Sequence, residues 1–366
     1  MSRAREFADL AGSANAGGIT GRNLIINGAM EVAQRGTSTA SISSSSTYVL
    51  DRTRFGLSNG GTWTMSQSTT VPSGQGFSHS LKLDCTTADT SLGSTDYLQV
   101  QQLIEGQNVQ HLAYGTSGAK SVTVSFWIRS NKTGTYTLEV QTQTSSNAFY
   151  QNAKAFTISS ADTWEKKEIT FVGNTSNNVI NSNAVGFYVS LWLGAGSSRT
   201  SGTFTNGTWH NTAANRVHSS QVNLADSTSN ELYLTGLQLE VGEQATPFEH
   251  RSFGDELARC QRYYYRIDSA NTTGQVALGI QIDSDDVIAM FPLPQPLRAT
   301  PTISFDKVRI HHNNGAEEGN FTCNNIYLNQ NMLGLNFDTS NAPFSTDQAI
   351  SISVNTNGYL EVIAEL

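Results

Sequence analysis

Charge is scarce in this chain of 366 residues: Asp, Glu, Lys and Arg make up only 14% of it, and the 22 Lys and Arg form no run. With a net charge of −8 and an isoelectric point near 5.4, the basic stripe that a phosphate backbone demands is missing, and nucleic acid is not an expected partner. Cysteine is scarce as well. Cys85, Cys260 and Cys323 are an odd set spread far apart, which fits neither a disulfide framework nor a zinc site, so no metal or other cofactor is expected. No apolar run approaches the roughly 20 residues that cross a bilayer. Arg3, Arg5, Glu6 and Asp9 break up any signal-peptide core, so a soluble protein without membrane insertion is expected. An HExxH helix, a Gly-rich phosphate loop, an internal repeat and coiled-coil heptads are all absent.

Ser, Thr, Asn, Gln and Gly are abundant, a composition that suits short strands and turn-rich connections. The hydrophobic residues, 37% of the chain, fall at the period of two that half-buried strands need. The clearest runs are Leu81, Leu83 and Cys85; Val122, Val124, Phe126 and Ile128; Tyr136, Leu138 and Val140; Ile169 and Phe171; and Val185 to Leu193. Their spacing predicts an all-β protein that begins with an antiparallel sandwich. The sandwich closes in ELYLTGLQLEV (Glu231 to Val241), where Leu232 and Leu234 form one run, Leu237, Leu239 and Val241 another, and Thr235-Gly236 the break.

After Pro247 the period changes. Ser252 and Asp255 make a capping-box pattern, and Leu257, Cys260, Gln261 and Tyr264 share a helical face, which predicts a short helical joint near 252–265. Alternation resumes at Val276, Leu278, Ile280 and Ile282 and continues to Ile363, a second and smaller β domain. FPLPQPLRATP (Phe291 to Pro301), with its prolines, predicts an extended crossing segment in place of a central strand. The expected organisation is an N-terminal arm at 1–22, a sandwich at 23–248, the joint at 249–266 and the C-terminal β domain at 267–366. In the arm, Ala4, Phe7, Ala8 and Ala11 sketch a helix too short to stand alone, which needs a docking partner if it is not a frayed end.

Parity sends Trp127, Tyr188 and Trp192 away from the sandwich core. Three roles fit such rings: stacking on a glycan, cover by the domain's own loops, or a subunit interface. The loop from Ser197 to Ser219 is longer than an ordinary connection, and Trp209 and His210 near its middle are expected to stand exposed. Hydrolysis of a glycan needs two carboxylates flanking the bond. The acids here are sparse, and Asp283, Asp285, Asp286, Glu317 and Glu318 sit beside turns. No catalytic residue and no enzymatic activity are expected. His311 and His312, neighbours on a strand, face opposite sides and read as part of a polar hairpin. The Asn-x-Ser/Thr triplets at Asn131, Asn174, Asn206, Asn271 and Asn320 are taken as chance in an Asn- and Thr-rich chain.

Three segments, NLIINGAM (Asn23 to Met30), LTGLQLEVG with ATPFEHRSFGDELARCQRYY (Leu234 to Tyr264), and FPLPQPLRATP, resemble segments of bacteriophage tail-fibre and related virion proteins. The layout of SVTVSFWIRS, GTYTLEVQ and ELYLTGLQLE is similar to the jelly-roll modules that bind carbohydrate. The resemblance implies a jelly-roll-like sandwich and a virion structural protein, a tail fibre or similar appendage in host attachment. A capsid decoration or head-fibre protein and a polysaccharide-degrading spike are its alternatives. It further implies a homo-oligomer, a trimer above all, and contacts with other virion proteins through the arm, where Phe7, Ala8 and Leu10 are the anchoring candidates. A host surface glycan or receptor is the remaining partner. Trp209, His210, Trp127, Tyr188 and Trp192 are the glycan-binding candidates, and the loops at His311 to Gly319 and Asn336 to Asp347 are candidates for facing a receptor.

Overall fold

The protein is seen here as a computed structural model that describes residues 21–269, 274–283, 286–312, 315–318, 322–329, 331–338 and 349–366. The arm with Phe7, Ala8 and Leu10 lies outside the described residues, as does most of the segment 336–347. The chain divides into two compact units, one running through Phe253 and including Leu366, the other Gly254–Glu365. Both are β-structured, as the alternation predicted, and among the described residues no helix is long and apolar enough to cross a membrane.

The first unit contains β1 (Ser38–Tyr48), β2 (Thr53–Ser68), β3 (Ser80–Thr87), β4 (Tyr97–Glu105), β5 (Val122–Ser130), β6 (Gly134–Gln143), β7 (Phe149–Ile158), β8 (Glu165–Phe171), β9 (Val185–Ala195) and β10 (Glu231–Val241). They follow the antiparallel order β7-β6-β9-β4-β2-β3-β10-β5-β8, with β1 also on β2. One strand makes two sheets out of this path. The first half of β2, Thr53 to Ser58, pairs with β4, and the second half, Thr62 to Ser68, pairs with β3. Between them Asn59 and Gly61 take φ of 51° and 76°. A Cβ on Gly61 would stand 2.3 Å from the Thr87 carbonyl oxygen, so only glycine allows the chain to bend there. The folded-over path buries Phe55, Trp63, Leu83, Val100, Phe126, Leu138, Leu191 and Leu234 in one core.

β10 is continuous where the sequence suggested a break. Both of its apolar runs face the core although one has even numbers and the other odd. The register against β5 slips between Thr235 and Gln238, and Gly236, at φ 63°, is the extra residue of a bulge that resets parity.

A helix, Phe253–Gln261, follows β10, and the second unit contains β11 (Tyr264–Ser269), β12 (Gly274–Gln281), β13 (Asp286–Pro292), β14 (Thr302–His312), β15 (Gly315–Glu318), β16 (Thr322–Leu328), β17 (Met332–Asp338) and β18 (Ala349–Ile363). The sheet order is β15-β14-β18-β12-β13-β17-β16, with β11 on the far half of β18. The helix is shorter than predicted, because Tyr264 already pairs with Ile363. Tyr263 and Tyr264 are buried, so these tyrosines offer no apolar surface to a partner.

β12 is the instructive strand. Its alternation locates it correctly, but Ala277 and Gln281 point inward while Leu278, Ile280 and Ile282 are exposed. The inner side has no room: a Cβ on Gly279 would meet the Ile288 carbonyl oxygen at 2.0 Å.

Candidate ligand-binding face

The outward positions of β2, β4, β9 and β6 share one surface. Register sets them in rows: Gly56, Gln99, Trp192 and Thr137 form one, and Arg54, Gln101, Ser190 and Glu139 the next, with Ala153 of β7 beyond Glu139. Between these residues the strands send Leu98, Val100, Leu138, Val189 and Leu191 into the core, and that alternation is what forces a polar row outward.

Glu139 is fully buried at the centre of this face. Arg216, carried back over the sheet by the long loop after β9, grips it with two parallel bonds, Nε to Oε1 at 2.8 Å and Nη2 to Oε2 at 2.7 Å. Burial works against the Arg216 charge, but the Glu139 carboxylate outweighs it and holds the guanidinium above its usual range. The Trp192 indole donates to Glu139 Oε2 at 3.2 Å. Arg216 and Arg199 lie 5.2 and 5.8 Å from the Trp192 ring centre, and Arg199 lies 4.6 Å from that of Tyr97, distances at which cations are held by ring faces. Val217 N donates to Arg199 O at 3.0 Å and His218 N to Thr137 Oγ1 at 3.2 Å, which fixes the loop over this side of the sheet.

Beside this latched region the face carries two amides. Gln101 Nε2 donates to Ser190 Oγ at 2.9 Å, while its Oε1 and that of Gln99 have no partner among the described residues. The two side chains are 5% and 8% exposed, so each oxygen is an acceptor withdrawn from water and left unused, which costs about 1–3 kcal/mol apiece. The aromatic rim consists of Tyr97, half-buried Tyr188 and Phe149. The last two meet edge to face at 6.3 Å, and Phe149 is exposed.

The five glycan candidates therefore do not form one group. Tyr188 and Trp192 share this face. Trp192, however, is 1% exposed beneath its two arginines and buttresses the face without offering a ring to solvent. Trp127 projects from the other sheet, opposite Thr235 and Lys166. Trp209, expected to stand exposed, is half-buried against the core. Its Nε1 donates to Val172 O at 2.7 Å, and its ring meets Tyr114 edge to face at 5.6 Å. His210 exchanges backbone bonds with Gln151 on the edge strand β7 and meets its side chain through Nδ1 at 3.2 Å. Burial, with help from Arg216 and against Glu139, lowers its affinity for a proton.

Gln99, Gln101, Glu139 and Arg216 escaped the sequence reading. The signal for the first two was present, since Leu98, Val100 and Ile104 alternate around them, but Gln102 at an inward position breaks the run. Among the described residues no cluster of three metal-ligating side chains occurs.

No protein-family model matches the chain, and no curated protein matches it. Among solved structures it is similar to the enzymatically active domain of tailspike protein 4 of bacteriophage CBA120, at 10% identity and TM-score 0.34. That match covers 60% of this chain and 22% of the tailspike chain, well under two thirds of it. It is similar also to the C-terminal family 22 carbohydrate-binding module of Clostridium thermocellum Xyn10B (11% identity, TM-score 0.32, covering 62% of this chain and 99% of that one). A third is TmCBM61 in complex with β-1,4-galactotriose (10% identity, TM-score 0.28, covering 60% and 99%). At TM-scores this low the likenesses carry no argument about ligand or assembly, and the fold rests on the strand pairing described above.

Proposed function

We propose that this chain is a non-enzymatic component of a bacteriophage virion, a tail fibre or similar appendage, whose first unit recognises a neutral glycan on the host surface. The observation that carries the glycan reading is the pair of unpartnered amide oxygens, Gln99 Oε1 and Gln101 Oε1, recessed beside an aromatic rim on the outer face of the sheet. Sugar hydroxyls donate to such oxygens, and sugar C–H faces stack on rings such as Tyr188 and Phe149. A hydroxyl that draws either flexible amide outward gains a bond that the free protein does not make. The virion assignment is supported by the three resembling segments. Two of them are bound to each other: the Glu249 carboxylate of ATPFEHR accepts from Gly21 N at 2.5 Å and from Asn23 N at 2.6 Å, and Arg251 Nη1 donates to Ile25 O at 3.0 Å.

Binding without hydrolysis is part of the proposal. Glu139 is committed to Arg216, and its row contains Ser190, Gln101, Arg54 and Ala153 but no second acid, so the carboxylate pair that glycosidic cleavage needs is not assembled there. The chain acts as a homo-oligomer, a trimer, in this reading. A host-surface glycan array probed with the intact protein tests it. Gln101→Ala should abolish a signal that the unaltered protein gives, and an array silent to the unaltered protein overturns the glycan reading. Labelling purified particles with an antibody tests the virion assignment separately.

A further inference from the structure

At one end of the sandwich the 3-10 turn Gly106–Leu112, the β6–β7 connection and the segment 174–181 enclose two clefts that meet at Asn178. The first, about 380 Å³, is lined by Val109, Gln110, Tyr114, Ser145, Asn178 and Ile180 among others. The second, about 330 Å³, takes in Thr144, Ser146, Tyr150, Ser176 and Asn177. Neither is lined by an acid, a base or a histidine, so neither favours an ion. Hydroxyls and amides predominate, with aliphatic and tyrosine surface between them.

The walls are pinned. Gln110 Nε2 donates to Gly106 O at 2.8 Å and to Ile180 O at 3.1 Å, Ile180 N to Gln143 O at 2.9 Å, and Gly115 N to Asn174 O at 2.7 Å. Gly115, at φ 84°, lets the turn approach so closely that a Cβ there would stand 2.8 Å from Asn178 N. Tyr114, 7% exposed and held between Trp209 and Phe187, has a hydroxyl without a partner among the described residues. Burial pushes its phenol well up, so it stays a neutral donor at any physiological pH.

We propose that these adjoining clefts form a second saccharide site, separate from the outer face of the sheet, which takes one or two uncharged sugar units at the end of a glycan. Volumes of this order lie at the small end of the roughly 300–1,000 Å³ typical of small-molecule sites, too small for a long oligosaccharide. Tyr114 supplies the buried donor, while Asn178, shared by both clefts, and Ser145 bond to ring hydroxyls. The ligand class follows from the lining of the clefts, whereas a part in adsorption rests on the proposed function.

Saturation-transfer NMR of the full chain with the methyl glycosides of glucose, galactose and N-acetylglucosamine at millimolar concentration tests the site. At least one should bind. Tyr114→Phe removes a hydroxyl that bonds to no other described residue, so it should leave the melting temperature unchanged or higher while weakening that glycoside about ten-fold. Ser145→Trp, at an exposed turn position, should plug the first cleft and abolish binding. The site is overturned if none of the three glycosides binds or if Ser145→Trp binds as well as the unaltered chain. Binding that survives Ser145→Trp but is lost in Gln101→Ala would place the glycoside on the outer face, overturning the cleft and leaving the proposed function standing. A silent glycan array would overturn that function whatever the clefts do.

Discussion

At the scale of single residues, Trp209 shows how a loop tryptophan can belong to the fold. Its indole N–H is committed to Val172 O, and its ring closes against Tyr114. Truncating it removes both, so Trp209→Ala should lower unfolding stability by on the order of 3 kcal/mol in a urea titration. An unchanged midpoint would mean that the ring stands free. Its neighbour His210 predicts a pH dependence. Burial is the largest influence on it and lowers its pKa from the ordinary 6.5; Arg216 acts in the same direction, and Glu139 against it. The folded state thus resists a proton that the unfolded chain accepts. The stability held by neutral His210 is complete above about pH 6.5 and is lost as pH falls below it. Melting temperature should therefore decline more steeply on acidification in the unaltered protein than in His210→Gln, and parallel curves would rule this out.

At the scale of elements, β10 joins one half of the sandwich to the other only because Gly236 absorbs an extra residue. A Cβ there would meet the Phe77 ring at 2.6 Å, and φ is 63°, so Gly236→Ala should cost about 2 kcal/mol through strain and overpacking together. A circular dichroism melt unaffected by this change would argue against the bulge. The same strand shows how much of the fold was legible. The shift from even to odd numbering between Leu234 and Leu237 was a bulge written in the sequence, and most strands followed from alternation alone. β1 and β7 were hard to find, because STASISSSSTY and FYQNAKAFTI lack a strict apolar period. β12 was found by its period, yet parity cannot tell which face is inner: the sequence does not record that Gly279 lies against a neighbouring carbonyl. The site was less legible still. Arg216 reaches Glu139 across 77 positions of chain, and no local pattern marks a pair made by a returning loop. The three resembling segments gain a physical reason. NLIINGAM and ATPFEHR lock to each other. In FPLPQPLRATP, Arg298 N bonds Arg262 O at 3.0 Å just past the helix, while Arg298 Nε and Nη2 bond the carbonyls of Ala364 and Glu365 at 2.8 and 2.9 Å.

At the scale of the whole molecule, the second unit raises the question of what covers its outer face. In register across four strands, Leu278 stands beside Met290, then Gly334, then Tyr327, and the next row runs Ile280, Ile288, Asn336 and Asn325. Neither row holds a charge. Leu278 is 71% and Tyr327 51% exposed, and Ile280, Ile282 and Met290 are exposed with them, an apolar strip of the kind that marks association surfaces. Half-exposed side chains of this size gain about 1 kcal/mol each on burial, or roughly 5 kcal/mol for the five. That is the low end of the about 4–15 kcal/mol lost in orientational freedom when two bodies associate. The strip can therefore hold copies together only weakly unless other contacts add to it, and self-association through it must depend on concentration. Light scattering should give a mass above 39.5 kDa that rises with concentration across the micromolar range. Leu278→Asp combined with Ile280→Asp should hold the mass at 39.5 kDa throughout with an unchanged circular dichroism spectrum, because both side chains face solvent in the single chain and like charges would then face each other across a symmetric contact. An oligomer that survives the double change would show that the strip serves another partner and that copies meet elsewhere. A monomer in the unaltered protein would remove self-association altogether.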